Sequence, residues 1–463
     1  MNLPENVMMV LETLHDKDFS AYVVGGCVRD FVLGKEPKDY DIATSARPEQ
    51  VMKVFKDYEV IPTGLQHGTV TIMVNGRPIE VTTYRLDGEY KDCRRPNGIV
   101  FLSSIEDDLM RRDFKMNAIA YNPWVGLVDP YGGIKSIENH VVQCAGNAKN
   151  RFNEDALRIL RALRFSAQLG FDIEEETSNA IHDCKHLLNN ISKERIQSEL
   201  VKIIMSDNGG KILSEYRDVL YQIIPEFEPM EGFEQEDHYY KNKDMLEHTL
   251  CCVDSYGLRF DKSEEWNDII LRLAILFHDI GKPYCCRVNE RGVQTFEGHA
   301  DMSAKMTYRI LKDFKFSNEI VAYTTQLVSY HEFDFDGNVH PKVAVKRLLN
   351  KIGEVQLRRL IALQKCDLHE QILLLTDNRR ICFVQMARDC LDEVINNDEC
   401  YSLKQLAVNG DDLIAAGVPQ GKKVGIVLKS LLGMVTDGVV ENDRETLLQN
   451  IDKISKMYKS NNK

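Results

Sequence analysis

The apolar positions of this chain change their period along its length, and that change divides it. From Ala21 to about Val142, short β-branched runs at Ala21–Val24, Gly68–Val74 and Ile79–Tyr84 alternate with helical segments. Short apolar runs bounded by turn formers suit strands, so this part is predicted to be an α/β or α+β head. After Asn147 the strands are expected to stop. Asp155–Leu169 and Glu194–Ile204 carry apolar residues three and four apart, the spacing of one helix face, and the remainder is predicted to be almost wholly helical. The acidic, aromatic stretch Pro225–Tyr240 is the expected linker to a second helical unit of about Asp244–Asp377. From Leu403 onward, Asn409-Gly410 and Gly421 separate short helices.

A chain of 463 residues has room for roughly three domains, and 43% hydrophobic residues is ordinary for a globular protein. No N-terminal segment has the make-up of a signal peptide and no apolar run is long enough to span a membrane, so a cytoplasmic protein with no membrane partner is expected. The 12 cysteines form no CxxC framework, which fits reduced thiols. A net charge of −13 argues against indiscriminate binding of polyanions. Basic clusters at Arg94-Arg95, Arg111-Arg112 and Arg158, Arg161, Arg164, against an acid-rich Glu226–Asp237, suit instead a nucleic-acid site that must release its product.

The sharpest local feature is Gly25-Gly26-Cys27-Val28-Arg29-Asp30, a tight turn between a short strand and a helix. Paired glycines allow close backbone approach, and Arg29 adds a charged fork, so the turn suits a triphosphate; a plain turn with a surface arginine is the bland alternative. Asp39-Tyr40-Asp41 follows, and alternation along a strand puts both carboxylates on one face. Such a pair can hold Mg²⁺ ions that activate a 3′ hydroxyl and clamp a triphosphate, with Glu80 on a later strand as candidate third ligand.

The run from Val24 to Asp30, with Leu33-Gly34 and Pro37-Lys38-Asp39-Tyr40-Asp41-Ile42-Ala43-Thr44, resembles the signature of class II nucleotidyltransferases, the family of bacterial CCA-adding enzymes and poly(A) polymerases. The resemblance implies that Asp39 and Asp41 are catalytic, that Gly25, Gly26 and Arg29 hold the nucleotide, and that Mg²⁺ is the cofactor. Arg111 to Ala118 looks like the family's ribose-binding motif, which brings in Arg112, Asp113 and Asn117. Glu154-Asp155-Ala156-Leu157-Arg158 looks like the nucleotide-choosing motif, and Lys193-Glu194-Arg195-Ile196 like the neck element after it. Thr63–Val70 resembles the CCA-adding branch, Asp87–Pro96 the flexible loop needed for A addition, and Leu406–Asp412 through Val440–Asn442 the tail that grips tRNA.

Asp155, Arg158, Arg161 and Arg164, three apart, are expected as a drifting polar stripe on one helix, roughly opposite Leu157, Leu160 and Leu163. Cytosine and adenine share an amine donor beside a ring-nitrogen acceptor. A carboxylate at Asp155 and a guanidinium at Arg158 could read that edge without a template, whereas guanine and uracil reverse it. A solvated, salt-bridged helix face is the bland alternative.

A second constellation comprises His248, His278-Asp279, His299, His331 and Asp367, a mixed nitrogen and oxygen set suited to one or two transition metals. Its order, with His278-Asp279-Ile280-Gly281-Lys282-Pro283, resembles the HD phosphohydrolase superfamily. The resemblance implies a phosphatase or 2′,3′-cyclic phosphodiesterase acting on tRNA ends, or else a domain that only supports tRNA.

The expectation is an α+β protein: a small mixed-sheet nucleotidyltransferase head (1–145), an all-α neck with the nucleotide-selecting motif (146–235), an HD-type helical body (236–400) and a helical tRNA-binding tail (401–463). Its substrates would be CTP, ATP and the 3′ acceptor end of tRNA. A poly(A) polymerase, a CC- or A-adding enzyme with a partner, an HD hydrolase and an inactive RNA-binding protein stay open as alternatives, as does the oligomeric state.

Overall fold

The computed structural model describes residues 1–87, 99–233, 244–259, 268–292, 294–333, 339–372 and 379–451. The expected flexible loop, Arg94-Arg95 and the second half of the expected linker lie outside the described residues. Contacts divide the chain into two units, Met1–Pro229 with Ile310–Phe316, and Met230–Arg309 with Ser317–Lys463.

The first unit opens with α1 (Glu5–His15), β1 (Ala21–Val24), α2 (Gly26–Val32), β2 (Asp41–Thr44) and α3 (Pro48–Val54). There follow β3 (Glu59–Gly64), β4 (Thr69–Val74), β5 (Arg77–Thr83), β6 (Arg85–Asp87), β7 (Ile99–Phe101), α4 (Ile105–Met110), β8 (Ala120–Asn122), β9 (Gly126–Val128), α5 (Gly133–Glu138) and β10 (Val141–Val142). Seven strands make one mixed sheet in the order β3-β4-β5-β2-β1-β8-β9. Its cohesion follows from alternation: Val70, Ile72 and Val74 of β4 and Ile79 and Val81 of β5 are buried, each side chain contributing roughly 1.5–3 kcal/mol. The pair β2 and β5 is parallel, in a register that sets Asp41 opposite Glu80.

The rest of this unit is α6 (Ala148–Glu154), α7 (Leu157–Leu169), β11 (Asp172–Ile173), α8 (Glu175–Cys184), α9 (Lys193–Ile204), α10 (Gly209–Glu215) and α11 (Arg217–Ile223). Strands therefore do not stop after Asn147: β11 pairs with β10 in parallel. Two residues of ladder are too short to give a periodic signal. The polar stripe also differs from expectation. Asp155 is extended (φ −140, ψ 103) between α6 and α7, so it precedes the helix that carries Arg158, Arg161 and Arg164.

The second unit holds α12 (Met245–Arg259), α13 (Ile269–Phe277), α14 (Lys282–Cys285), a hairpin of β12 (Arg287–Val288) and β13 (Gln294–Thr295), α15 (from His299), α16 (Asn318–Tyr330), α17 (Pro341–Ile352), α18 (Glu354–Ile372) and α19 (Arg379–Asn396). That hairpin is a further departure from the all-helical expectation. In α13 the residues from Ile270 to Phe277 are all buried, as expected of a helix packed on every side. Asp268 caps its start, accepting from the Ile270 and Leu271 amides. The chain ends with α20 (Gly410–Ala415), α21 (Lys422–Thr436) and α22 (Arg444–Gln449) around Leu406, Leu413, Leu431, Leu432 and Leu447. Asn409-Gly410 starts a helix here, because the Asn409 side chain accepts from the Asp411 and Asp412 amides.

Candidate active site and a second cluster of metal ligands

Gly25 ends β1 at φ +78, ψ −131, a conformation few L-residues adopt, and turns the chain into α2. Arg112 lies over this turn: a Cβ on Gly25 would sit 3.0 Å from its Nη1. β2 begins at Asp41, so the expected shared strand face for Asp39 and Asp41 is only half formed, with Asp39 two residues ahead of the strand. Asp41 is open to solvent on one side and crowded on the other. Partial desolvation, then the neighbouring Glu80 and Asp39 charges, raise its carboxyl, while Arg112 pulls it down. A carboxylate crowded by other carboxylates in this way is suited to a divalent cation.

A chain of side chains runs from α2 to α7. Arg29 Nη1 donates to Asn117 Oδ1 at 3.0 Å, and Asn117 Nδ2 donates to Asp113 Oδ1 at 3.1 Å. Arg161 Nε donates to Asp113 Oδ2 at 2.8 Å. Burial by itself pushes the Asp113 carboxyl up, but Arg161 and these hydrogen bonds outweigh it and hold the group at about 2. Beneath the chain, Phe165 is a common platform, with the guanidinium carbons of Arg29, Arg161 and Arg164 at 5.2, 5.5 and 4.2 Å from its ring centre. Arg29 thus already donates to Asn117 and to Asp30, with one N–H left on each Nη.

Within the EDxxR segment the Asp155 and Arg158 side chains are not paired with each other. Asp155 Oδ2 accepts from Arg195 Nη2 at 2.8 Å, and its Oδ1 accepts from the Leu157 amide. Arg158, almost fully buried, donates to Glu154 Oε2 at 2.7 Å and to the Arg151 and Arg111 carbonyls. Three of its five N–H groups are used, which leaves Nε–H and one Nη2–H. Arg164 forms an ion pair with the buried Glu199 at 2.9 Å.

The six residues of the second constellation converge. His248, His278 and Asp367 form one group of close ligand atoms, and Asp279, His299 and His331 another. His248 Nε2 is 2.9 Å from Asp367 Oδ1, and His278 Nε2 is 3.3 Å from Asp279 Oδ2. The Nδ1 atoms of His278, His299 and His331 lie 2.8, 2.9 and 2.7 Å from the carbonyls of Ile275, Phe296 and Val328, contacts that only a protonated Nδ1 can make. Their Nε2 lone pairs are thereby turned toward the cluster. His299 and His331 Nε2 face each other at 3.0 Å, each 3.4 Å from Asp279 Oδ1. His278 Nε2 and Asp279 Oδ1 are buried without a hydrogen-bond partner. Lys282 Nζ donates to Asp279 Oδ2 at 2.6 Å, and the remaining nitrogen and oxygen atoms make a set that could hold a metal ion.

Three segments match known families: residues 21–143 the "Poly A polymerase head domain", 170–230 the "Probable RNA and SrmB- binding site of polymerase A", and 295–451 the "tRNA nucleotidyltransferase domain 2 putative". The CCA-adding enzyme of Ligilactobacillus salivarius is 31% identical over 461 residues, covering 98% of either chain. The chain belongs to the CCA-adding enzyme family. That of Bacillus cytotoxicus is 48% identical over 195 residues, 42% of this chain and 49% of its own. Among solved structures, the Bacillus stearothermophilus CCA-adding enzyme in complex with CTP superposes over the whole of both chains with a TM-score of 0.71 at 27% identity.

Membership of the CCA-adding enzymes makes the chain a tRNA nucleotidyltransferase, and poly(A) polymerase is not favoured. Among the described residues no helix is long and apolar enough to cross a membrane. Residues that sequence reasoning passed over include Glu199, Phe165 and Asp108, each the partner of a residue it singled out, and Arg195 was named only as part of the neck element. Glu199 falls four after Arg195 on α9, a spacing that shows they share a helix face but not what they face.

Proposed function

We propose that this CCA-adding enzyme joins CMP, CMP and AMP, taken from CTP and ATP with release of pyrophosphate, to the 3′ end of tRNA at the central strands β2 and β5 of its seven-stranded sheet, with Asp39, Asp41 and Glu80 as ligands for Mg²⁺. The β2–β5 register, which sets the Asp41 carboxylate opposite that of Glu80, carries the reading. When bound, Mg²⁺ makes the tRNA 3′ hydroxyl a better nucleophile and neutralises charge on the triphosphate. Gly25 and Gly26 let backbone approach the phosphates, and Arg112 over the turn supplies positive charge to them. Asn117 and Asp113 lie where the ribose is met, with Arg29 and Arg161 fixing their orientation.

Asp155 retains lone pairs for the exocyclic amine of cytosine or adenine, and Arg158 retains two N–H groups for the ring nitrogen. Glu154 and Arg164 brace this edge. Guanine and uracil would leave these buried groups unpaired and are rejected. The four-part division at 145, 235 and 400 remains our reading of the chain, with the tail as tRNA grip. A tRNA substrate and reduced thiols fit a cytoplasmic enzyme.

The decisive experiment supplies each of the four labelled NTPs, and CTP with ATP, to tRNAs lacking CCA, CA or the final A, with Mg²⁺ and then EDTA. Addition of two C and one A followed by a stop is expected. Long A tails, or C addition alone, would overturn the reading.

A second reading is favoured by the unpartnered His278 Nε2 and Asp279 Oδ1: His248, His278, Asp279, His299, His331 and Asp367 hold a transition metal and hydrolyse phosphoesters at tRNA ends. Metal bound to purified protein, together with release of phosphate or opening of a 2′,3′-cyclic phosphate, is expected. Bound metal without hydrolysis would make the domain a tRNA support. Asp41→Ala is expected to abolish incorporation and keep hydrolysis; loss of both would argue against two sites.

A further inference from the structure

One fully buried carboxylate beside the nucleotide site has no part in the mechanism above. Asp108, in α4, is 1% exposed. Its Oδ1 accepts from the Arg85 amide at 3.2 Å, where β6 begins, and from Arg111 Nε and Nη2 at 3.0 and 2.8 Å. Its Oδ2 accepts from Arg112 Nη2 at 3.3 Å. Burial works against the charged form, but Arg111 and Arg112 more than offset it and keep the carboxyl below its usual range.

Arg112 is held by little else. Asp108 is the one side-chain acceptor for its guanidinium among the described residues, and its Nε is buried without a hydrogen-bond partner. A long arginine with five donors would otherwise sample many rotamers over the Gly25 turn. We propose that Asp108 is a positioning residue for nucleotidyl transfer, fixing Arg112 over the Gly25 turn so that the incoming triphosphate meets a guanidinium already in place. The inference rests on the reading that Arg112 meets the phosphates.

The test compares wild type, Asp108→Asn, Arg112→Met and the double variant, measuring kcat, KM for CTP and ATP, KM for tRNA, inhibition by inorganic tripolyphosphate and thermal midpoints. Asp108→Asn is expected to raise both nucleotide KM values and weaken tripolyphosphate inhibition about tenfold, leaving KM for tRNA unchanged. In the Arg112→Met background the same change is expected to add nothing. A tenfold loss that persists in that background, or a fall in kcat alone with a lowered midpoint, would overturn the proposal in favour of a structural role. Should Asp108→Asn not fold, Asp108→Glu keeps the charge but moves it, and an unchanged nucleotide KM there would overturn it equally. A wild-type protein that incorporates neither CTP nor ATP would overturn the underlying reading, and this inference with it; an active wild type with unmoved variants overturns this inference alone.

Discussion

Replacing Gly25 and Gly26 one at a time separates what the glycine turn does for the fold from what it does for the nucleotide. At Gly25, alanine must adopt φ +78, ψ −131, which costs about 1–3 kcal/mol for a residue with a side chain. Its Cβ also meets Arg112 Nη1 at 3.0 Å, so the guanidinium must shift. At Gly26 the backbone is the first turn of α2, and a Cβ would be 3.7 Å from Arg29 Nη2, an ordinary contact. Alanine there is about neutral or favourable by up to ~1 kcal/mol through helix propensity. Taking about 2 kcal/mol for Gly25→Ala, the midpoint of the first unit is expected to fall by about 4–8 °C, against no fall for Gly26→Ala. In steady-state assays with CTP, Gly25→Ala is expected to lose about tenfold or more in kcat/KM because Arg112 is displaced. Gly26→Ala is expected to raise KM for CTP with its midpoint intact, because the new methyl stands where phosphates approach. A destabilised Gly26→Ala beside an unaffected Gly25→Ala would refute the reasoning.

Asp41→Asn is expected to reduce incorporation by at least 10³-fold while leaving the thermal midpoint unchanged or raised, since it relieves repulsion with Glu80 and Asp39; a drop of less than tenfold would remove Asp41 from the metal set. Arg195→Met frees the Asp155 carboxylate and is expected to lower the preference for CTP over UTP about tenfold, read as a ratio of kcat/KM values. Asp113 is held at about 2 against an ordinary 3.8, a difference worth ~2 kcal/mol. Its folded value is depressed, so that stability is present above pH 4 and is lost as pH falls from 4 toward 2; denaturant unfolding of wild type and Asp113→Asn across that range is expected to converge by this amount. His278→Asn is expected to lower the transition metal retained after dialysis, measured by elemental analysis; unchanged metal content would take His278 out of the cluster.

The sequence by itself determined the chemistry and most of the local structure. Alternation in Thr69–Val74 yields a strand and three- and four-residue spacing in Lys193–Ile204 a helix, because both periods are local properties of the backbone. The Gly25-Gly26 turn was legible for the same reason: a positive φ there needs no distant partner. Asp39, Asp41, Glu80 and the six His and Asp residues could be named from residue type and order. Tertiary structure alone decided which side chains meet. The β2–β5 register brings Glu80 to Asp41 across 39 positions, a pairing fixed by burial of one sheet face and invisible to local pattern. The short strands β10 to β13 depend on partners rather than on period. Asp155 leaves the helical stripe because Arg195, 40 residues on, and the Leu157 amide hold it extended at the α6–α7 break. The histidines become a cluster only once Ile275, Phe296 and Val328 offer carbonyls that turn three Nε2 atoms inward. Hydrogen bonds and ion pairs act over a few ångströms in space but connect residues at any distance along the chain, so the sequence supplies the groups and folding chooses their partners.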